Sequence, residues 1–245
     1  MVRYEQFCPI AKAAEIFCER WTPLILRDLW KGSSHFSELH RGVPLMSPSM
    51  LSQRLAKLER EGIIIRKKTT HARASTYHLT PAGREFVPVV KALGIWGQHW
   101  SRRELADGEI DLGLMIWEME RGVRPEVFGD QQTVVCLELT DQPSGKRMWW
   151  FVNKAAKLDL CLKDPGYEVD LYLITTLPNM IHLWRGDISL AHALESHRLE
   201  VHGPTRLRRA LRSWLKLSPF SPYKTKLKAS PRDVPARVSS NRRAG

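Results

Sequence analysis

Three features of the sequence predict an α+β protein with two domains. The chain has 245 residues, more than the roughly 100 to 200 residues of a typical single domain. Residues 1–104 carry 17 basic and 9 acidic side chains, residues 105–217 carry 14 and 16, and residues 218–245 carry 7 and 1. The hydrophobic pattern also changes from mainly helical to mixed near Gly108. We therefore predict domains at 1–104 and 105–217, followed by a basic, disordered tail at 218–245.

Composition limits the class of function. The net charge of +12 favours a polyanionic partner, with an anionic membrane surface as the second choice. No run approaches the roughly 20 apolar residues that a membrane span needs, and charges interrupt the N-terminus too often for a signal peptide. We expect a cytoplasmic protein without a membrane partner. The four cysteines form neither a CxxC pair nor a zinc pattern, so free thiols, no metal and no cofactor are expected.

Capping signals divide the first domain into helices. A hydroxyl residue precedes a proline at Thr22, Ser47 and Thr80, as is typical of a helix start. A glycine follows an apolar helical stretch at three places, where a left-handed residue would end the helix: Gly32, Gly42 and Gly62. These signals predict helices near 10–20, 23–31, 36–41 and 48–61 and a long helix after Thr80. Between the last two, the runs IIIRKK and STYHL predict a β-hairpin with a basic tip.

The predicted helix at 48–61 has two distinct faces. Its apolar stripe, Leu51, Leu55 and Leu58, falls within about 60° of the helix circumference and should be buried. The opposite face offers hydroxyl, amide and cationic groups, which suit the major groove of DNA. Short helices, a basic helix, a basic hairpin and an apolar helix in this order predict a winged helix-turn-helix domain, mostly α with a β-hairpin wing, and double-stranded DNA as its partner. The candidate DNA contacts are Ser49, Ser52, Gln53, Arg54, Lys57, Arg60, Arg66, Lys67, Lys68 and Arg73.

Each part of this pattern also has a plainer interpretation. A polar helix face is most often simply solvated. The run Arg66, Lys67 and Lys68 could protect the edge of a sheet from aggregation. The order of the elements favours DNA binding over these alternatives.

The same region resembles a known family. The chain resembles the HxlR-type winged-helix transcriptional regulators of bacteria in two strings, CPIAKAAEIFCERWTPLILRDLWKGSSHFSELHRGVPLMSPSMLSQRLAKLEREGIIIRK and YHLTPAGREF. The resemblance implies that residues 50–55 lie in the recognition helix and that homodimers bind pseudo-palindromic operators, so the protein would be nucleoid-associated when bound to DNA. The chain departs from the family pattern before Trp21, where it has Cys18-Glu19-Arg20, and in the wing at 72–76.

Surplus apolar surface predicts how such a dimer would form. The helix after Thr80 carries Phe86, Val89, Val90, Leu93, Trp96 and Trp100 along one side, more than a small domain can cover. We expect a homodimer through this helix and the N-terminal helix, with recognition helices about 34 Å apart. The alternative is that the second domain packs there.

Cys8 is a separate candidate. Some regulators resembling this family sense oxidants through the cysteine of this Cys-Pro motif, which implies a redox role for Cys8, with Cys18 as a partner. Neighbouring Arg3 and Lys12 would favour a thiolate. An inert, buried thiol is an equal alternative.

The second domain has strand signals but no catalytic motif. The runs TVVCLEL, RMWWFV, KLDLCLK and EVDLYLI predict a mainly antiparallel sheet, with helices after Leu177, after Asp187 and from Thr205. This region resembles the C-terminal half of sterol-carrier-protein-2-like domains in the string DLYLITTLPNMIHLWRGDISLAHALESHRLEVHGPTRLRRALRSWL. The resemblance implies an apolar site for a small hydrophobic effector. An ordinary core is the alternative.

Two other classes of function are alternatives to a regulator. The sequence has no phosphate loop, HExxH or GxSxG motif, which favours a protein that is not an enzyme. A hydrophobic-ligand carrier whose helical domain mediates protein contacts is the second hypothesis.

Overall fold

The fold mixes helices and strands around two separate hydrophobic clusters. A computed structural model describes residues 4–68, 75–101 and 104–227. One cluster is built from buried residues between Ile25 and Val90, and the other from buried residues between Met115 and Leu215. The predicted contact Arg73 lies outside the described residues.

The helices are α1 (Pro9–Phe17), α2 (Thr22–Trp30), α3 (Phe36–Gly42), α4 (Pro48–Arg60), α5 (Pro81–Trp100), α6 (Leu112–Glu120), α7 (Ser144–Arg147), α8 (Leu177–Arg185), α9 (Leu190–Glu195) and α10 (Thr205–Trp214). The strands are β1 (Ile64–Lys68), β2 (Ser75–Leu79), β3 (Thr133–Leu139), β4 (Met148–Lys154), β5 (Lys157–Cys161), β6 (Leu171–Thr175) and β7 (Leu199–His202). Short 3₁₀ turns lie at Asp107–Glu109 and Pro125–Phe128. In the described part of the chain, no helix is long and apolar enough to cross a membrane.

The capping prediction is confirmed for two of the three helix starts. The Ser47 hydroxyl accepts a hydrogen bond from the Met50 backbone N–H at the start of α4. The Thr80 hydroxyl accepts one from the Gly83 N–H at the start of α5. Gly62 follows α4 with φ +69°, the left-handed conformation that ends a helix at little steric cost for glycine.

Two local predictions were wrong. The helix α2 includes Thr22 and is preceded by Trp21 at φ +78°, so Thr22 is not its cap. Its hydroxyl is buried without a hydrogen-bond partner among the described residues. Gly42 is the last residue of α3 rather than a left-handed residue beyond it. A Cβ there would lie 2.0 Å from Asp28 Oδ2, so glycine is needed for the close approach of a carboxylate.

The wing and the buried stripe of α4 form as predicted. Strands β1 and β2 pair antiparallel, with Arg66 opposite Tyr77. The Tyr77 N–H donates to the Ser34 carbonyl oxygen at 2.8 Å, which ties the hairpin to the segment before α3. Leu51, Leu55 and Leu58 are all 1% exposed or less, so the opposite face of α4 must turn outward.

The C-terminal part has a five-stranded sheet of order β5-β4-β3-β6-β7. Only the β3–β6 pair is parallel, so the prediction of a mainly antiparallel sheet is confirmed for the described residues. Trp214 of α10 is fully buried and packs edge-on against Phe151. Its indole N–H donates to Asn153 Oδ1 at 2.8 Å, so this tryptophan fills the core with its polar atom satisfied.

Charged groups join the two clusters. Asp28 of α2 has no exposed surface, and it accepts hydrogen bonds from Arg27 and from Arg121, which follows α6. Lys31, which follows α2, donates to both carboxylate oxygens of Glu118 in α6, at 3.1 and 3.0 Å. We call the contact between α2 and α6, together with these five side chains, the seam.

The tail prediction was wrong for residues 218–227. Phe220 packs against Gly94 of α5, where a Cβ would lie 2.2 Å from the ring. The Lys226 N–H donates to the His99 carbonyl oxygen at 2.9 Å, and Tyr223 makes an edge contact with the His99 ring. Two aromatic rings give this segment enough apolar contact to lie against α5 despite its charge. The remainder of the predicted tail lies outside the described residues.

Candidate nucleic-acid interface

The outward face of α4 carries polar side chains that are open to solvent. Ser49, Ser52, Gln53 and Arg60 are all exposed. The Ser49 hydroxyl lies 3.1 Å from the Ser47 hydroxyl, which holds it near the start of the helix. Four of the predicted contacts are therefore free to reach a ligand laid along α4, and an amide with two hydroxyls can match base edges in a major groove.

Two predicted contacts on α4 require correction. Lys57 is 6% exposed, and its ammonium donates to the Glu15 carbonyl oxygen at 3.2 Å and to the Glu19 carboxylate. Arg54 is half-buried and pairs with the same carboxylate. Burial lowers the pKa of both Lys57 and Arg54, and for Lys57 the neighbouring Arg54 charge acts in the same direction.

The reason lies outside α4 itself. Residues of α1 and of the turn after it cover the side of α4 on which Arg54 and Lys57 project. A helical wheel of α4 alone cannot show a neighbour that is about 40 residues away in sequence. Both cations therefore position α4 against the N-terminal segment instead of extending its open face.

The basic strand of the wing is exposed beside this face. Arg66, Lys67 and Lys68 all lie open to solvent on β1. The Arg66 guanidinium sits 6.0 Å from the centre of the Tyr77 ring, so the ring supports the stem of that side chain. These three cations can reach phosphates without reading a sequence.

A concave surface connects the wing to α4. A cavity of about 520 Å³ is lined by Ser52 of α4, Arg66 of β1 and Tyr77 of β2, together with His35, Phe36 and Ser37 at the start of α3. The sequence prediction did not include the α3 residues. Only half of a capping-box signal was present, because Glu38 stands three residues after the N-cap position but His35 is not the Ser or Thr of that pattern.

Glu38 fixes the start of α3. One of its carboxylate oxygens accepts hydrogen bonds from the backbone N–H groups of Ser34 at 2.7 Å and His35 at 3.0 Å. Partial burial raises the pKa of Glu38, but the two backbone donors and the His35 ring outweigh it and hold the pKa below its usual value. The ionised carboxylate therefore keeps this rim of the concave surface in place.

Cys8 and Cys18 lie at opposite ends of α1. Cys8 immediately precedes the helix and is partly buried, whereas Cys18 follows it and is exposed; neither is in a disulfide. Ten residues of helix span about 15 Å, which exceeds the roughly 7 Å that a disulfide permits between Cα atoms. An intact α1 therefore excludes a bond between Cys8 and Cys18 of the same chain, so Cys18 could be the partner of Cys8 only between two copies. Cys136 is buried, and burial raises the pKa of its thiol to about 11.

One stripe of α5 is apolar and uncovered. Val89, Leu93, Trp96 and Trp100 fall within about 60° of the helix circumference and are between 45% and 63% exposed. The C-terminal part contacts a different side of α5, through Phe220 at Gly94 and through a 3.0 Å hydrogen bond from Gln98 to the Arg185 carbonyl oxygen. Near the other end of the N-terminal part, Phe7 is fully exposed and Ile10 is 79% exposed.

A buried leucine stripe, an open polar face and an adjoining basic hairpin define a helix-turn-helix protein of the winged type. Comparison with known proteins identifies the family within this class, since the profile of the HxlR-like helix-turn-helix family matches residues 16–105. The chain belongs to this family and carries the helix-turn-helix DNA-binding domain of transcriptional regulators.

Relatives share this N-terminal region. The HTH-type transcriptional regulator YvaP of Bacillus subtilis is 36% identical over 98 residues, which cover 39% of this chain and 90% of that protein. The HTH-type transcriptional regulator sll1512 of Synechocystis is 35% identical over 98 residues, which cover 40% of this chain and 73% of that protein. The crystal structure of the transcription factor PA1607 is 25% identical, with 42% of this chain and 72% of that chain covered and a TM-score of 0.38.

Proposed function

We propose that this protein is a transcriptional regulator, without enzymatic activity, that binds a palindromic operator as a homodimer. The observation that carries the proposal is the exposed polar face of α4, which lies opposite a fully buried leucine stripe and next to the basic strand of the wing. Ser49, Ser52 and Gln53 would meet base edges, since hydroxyl and amide groups can form specific hydrogen bonds there.

The cations have two different roles in this proposal. Arg60, Arg66, Lys67 and Lys68 are exposed and would contact phosphates, and Arg73, which lies outside the described residues, is proposed to join them. Each neutralised phosphate releases counterions, so the affinity should fall as salt rises, with a slope of about 0.9 per contact. Arg54 and Lys57 would act indirectly, because Glu19 holds them against the N-terminal segment.

The homodimer is proposed to form through α1 and α5. The uncovered stripe of α5 and the exposed side chains of Phe7 and Ile10 supply apolar surface that a second copy would bury. A twofold axis would then present two α4 helices to successive major grooves, about 34 Å apart.

Selection of bound DNA from a random pool tests this function most directly. We expect a palindrome whose half-sites are separated by about one helical turn. Recovery of random sequences, with affinity that tracks only salt concentration, would contradict operator recognition. Copurified lipid in the absence of any sequence-selective DNA binding would favour the carrier hypothesis instead.

The remaining proposals concern regulation. We propose that residues 105–217 form a sensing domain of the sterol-carrier-like type for a small hydrophobic effector, and that oxidation of Cys8 is a second input. Trp149 of β4 is the candidate contact for the effector, since it lines a cavity of about 350 Å³ with Ile116 and Leu160, although His40, Arg41 and Pro44 of the N-terminal part also line that cavity. Cys8→Ser should abolish the release of operator DNA by diamide if Cys8 is the sensor, and unchanged release would exclude it.

A further inference from the structure

A cavity lies at the seam, where the DNA-binding region meets the C-terminal part. Its volume is about 270 Å³, and its lining includes Trp30 at the end of α2, Lys31 after it, Glu118 of α6, Arg121, Trp184 of α8 and Lys216. Both the N-terminal and the C-terminal part therefore contribute side chains to one space. A molecule held there would touch a helix of the DNA-binding region and two elements of the C-terminal part at once.

The lining has a surplus of positive charge. Glu118 is the only carboxylate among the lining residues, and it accepts hydrogen bonds from both Lys31 and Arg121. Lys216 is exposed and makes no ion pair with a described residue. Lys31 and Arg121 therefore share Glu118, with Asp28 as a second acidic partner of Arg121, and Lys216 faces the same space without one.

Lys31 shows why an added anion would be favoured there. Its side chain is only 15% exposed. Burial lowers the pKa of the Lys31 ammonium, the Glu118 carboxylate opposes that effect, and the Arg121 charge adds to it. A cation that has lost most of its hydration gains more from a further negative charge than an exposed one does.

The rest of the lining is apolar and flat. Trp30 and Trp184 contribute indole rings, and Leu217 and Pro219 contribute aliphatic surface. The Lys31 ammonium lies 5.5 Å from the centre of the Trp184 ring, so charge and aromatic surface are adjacent. Ligand pockets for drug-sized compounds usually measure about 300 to 1,000 Å³, so this cavity suits a smaller compound of one or two rings.

We propose that the seam cavity binds a small aromatic carboxylate, with Lys31 and Lys216 facing the carboxylate and Trp30 and Trp184 facing the ring. The ligand would be anionic and aromatic rather than lipid-like, and it would bind between the two clusters rather than inside the C-terminal core. Because α2 packs against both α3 and α5, occupancy of the cavity would change the orientation of the DNA-binding region relative to the C-terminal part. This regulatory consequence rests on the proposed DNA-binding function, whereas the binding itself does not.

Isothermal titration calorimetry on the full chain tests the site, with 2-naphthoate as the probe and 2-naphthamide as its uncharged counterpart. We expect the carboxylate to bind about tenfold more tightly than the amide, and Lys216→Gln and Lys31→Gln each to weaken the carboxylate by about five- to tenfold. Lys216→Gln changes an exposed side chain and should leave folding intact. Lys146→Gln removes an exposed lysine on α7, away from the cavity, and should change nothing.

Three outcomes would overturn the proposal. These are equal affinity for the carboxylate and the amide, equal affinity of Lys216→Gln and the parent chain, and no binding of 2-naphthoate or benzoate at millimolar concentration. The titrations contain no DNA, so a failure to select an operator would leave their result standing. A separate titration of operator DNA with and without 2-naphthoate tests the regulatory consequence. If 2-naphthoate changes the affinity for DNA, reciprocal coupling requires that DNA change the affinity for 2-naphthoate by the same factor.

Discussion

Gln53 is the side chain that best separates base recognition from phosphate attraction. It is exposed near the middle of the open face of α4, and an amide can form two hydrogen bonds with an adenine edge. Gln53→Ala should weaken operator binding by about 1 to 3 kcal/mol and relax the base preference at one position of each half-site. Fluorescence anisotropy with the operator and with single-base variants measures both effects.

Lys67→Ala is the matched comparison on the wing. Its exposed ammonium on β1 can attract any phosphate, so the substitution should weaken operator and random DNA alike and reduce the salt slope by about one contact. If Gln53→Ala also weakened both DNAs equally, Gln53 would not read a base.

Glu19 shows how an acidic residue can keep two cations away from DNA. Its carboxylate pairs with Arg54 and with the buried ammonium of Lys57. Glu19→Gln should lower the free energy of unfolding by about 1 to 3 kcal/mol, because a buried cation loses its charged partner. Urea unfolding measures the loss.

Glu59→Gln is the control on α4. Glu59 is exposed and has no ion pair with a described residue, so its substitution should change stability by no more than about 0.5 kcal/mol. Equal losses for Glu19→Gln and Glu59→Gln would show that the pairing with Arg54 and Lys57 contributes nothing.

At the scale of elements, local signals predicted much of the fold. The start of α4 follows from Ser47 and Pro48, and the inward stripe of α4 follows from its leucine spacing, because both depend on neighbours within one or two turns. Helix α6 lacked such a signal. Five consecutive residues, Met115 to Met119, are buried, so the helix is enclosed on several sides and its sequence shows no amphipathic period.

The open face of α4 was predictable only in part. Ser49, Gln53 and Arg60 lie outward as their spacing predicts. Lys57 does not, since its position is set by Glu15 and Glu19 in and after α1. Periodicity reports which side of a helix is apolar, but it cannot report which polar side a distant segment covers.

The exposed stripe of α5 gives a prediction for the element that should join two copies. Trp96→Glu places a charge in the middle of the proposed interface, where its desolvation would be costly. The variant should be monomeric at concentrations where the parent chain is dimeric, as measured by size-exclusion chromatography with light scattering. It should also lose at least about tenfold in operator affinity, because one copy can contact only one half-site.

Ala191→Glu is the control for the added charge. Ala191 is exposed on α9, far along the chain from α5, and its substitution should leave the mass unchanged. A parent chain that is monomeric at every concentration, or a Trp96→Glu variant that stays dimeric, would exclude this stripe as the interface.

At the scale of the whole molecule, the seam is what the sequence could not predict. Arg121 reaches Asp28 across 93 positions and Lys31 reaches Glu118 across 87. Nothing in the local pattern around α2 marks Asp28 and Lys31 as different from solvated charges, because the residues that cover them, such as Gly42 and Glu118, are distant in sequence. The glycine at position 42 is explained by the packing of α3 against Asp28, which occupies the space that a Cβ would take.

The seam also predicts how stability should depend on pH. Burial raises the pKa of Glu118, but hydrogen bonds and charges from Arg121 and Lys31 outweigh it and leave the pKa below its ordinary value. The folded state therefore holds fewer protons at this carboxylate than the unfolded state in mild acid. The stabilisation that Glu118 contributes is complete when the pH lies above the ordinary pKa of a carboxylate. It is lost as the pH falls through the lowered pKa of Glu118.

Glu118→Gln tests that dependence against the parent chain. At neutral pH the variant should be less stable by about 3 kcal/mol, because Lys31 and Arg121 would be left buried without their shared carboxylate. The difference should persist down to about pH 4 and then shrink, since the parent chain loses the same charge by protonation. Urea unfolding at intervals from neutral to acid pH measures it, with Glu126→Gln, an exposed carboxylate, as the control that should show little difference throughout. If the difference in the free energy of unfolding between Glu118→Gln and the parent chain stayed constant into acid, or widened there, the ionised carboxylate would not be what stabilises the seam.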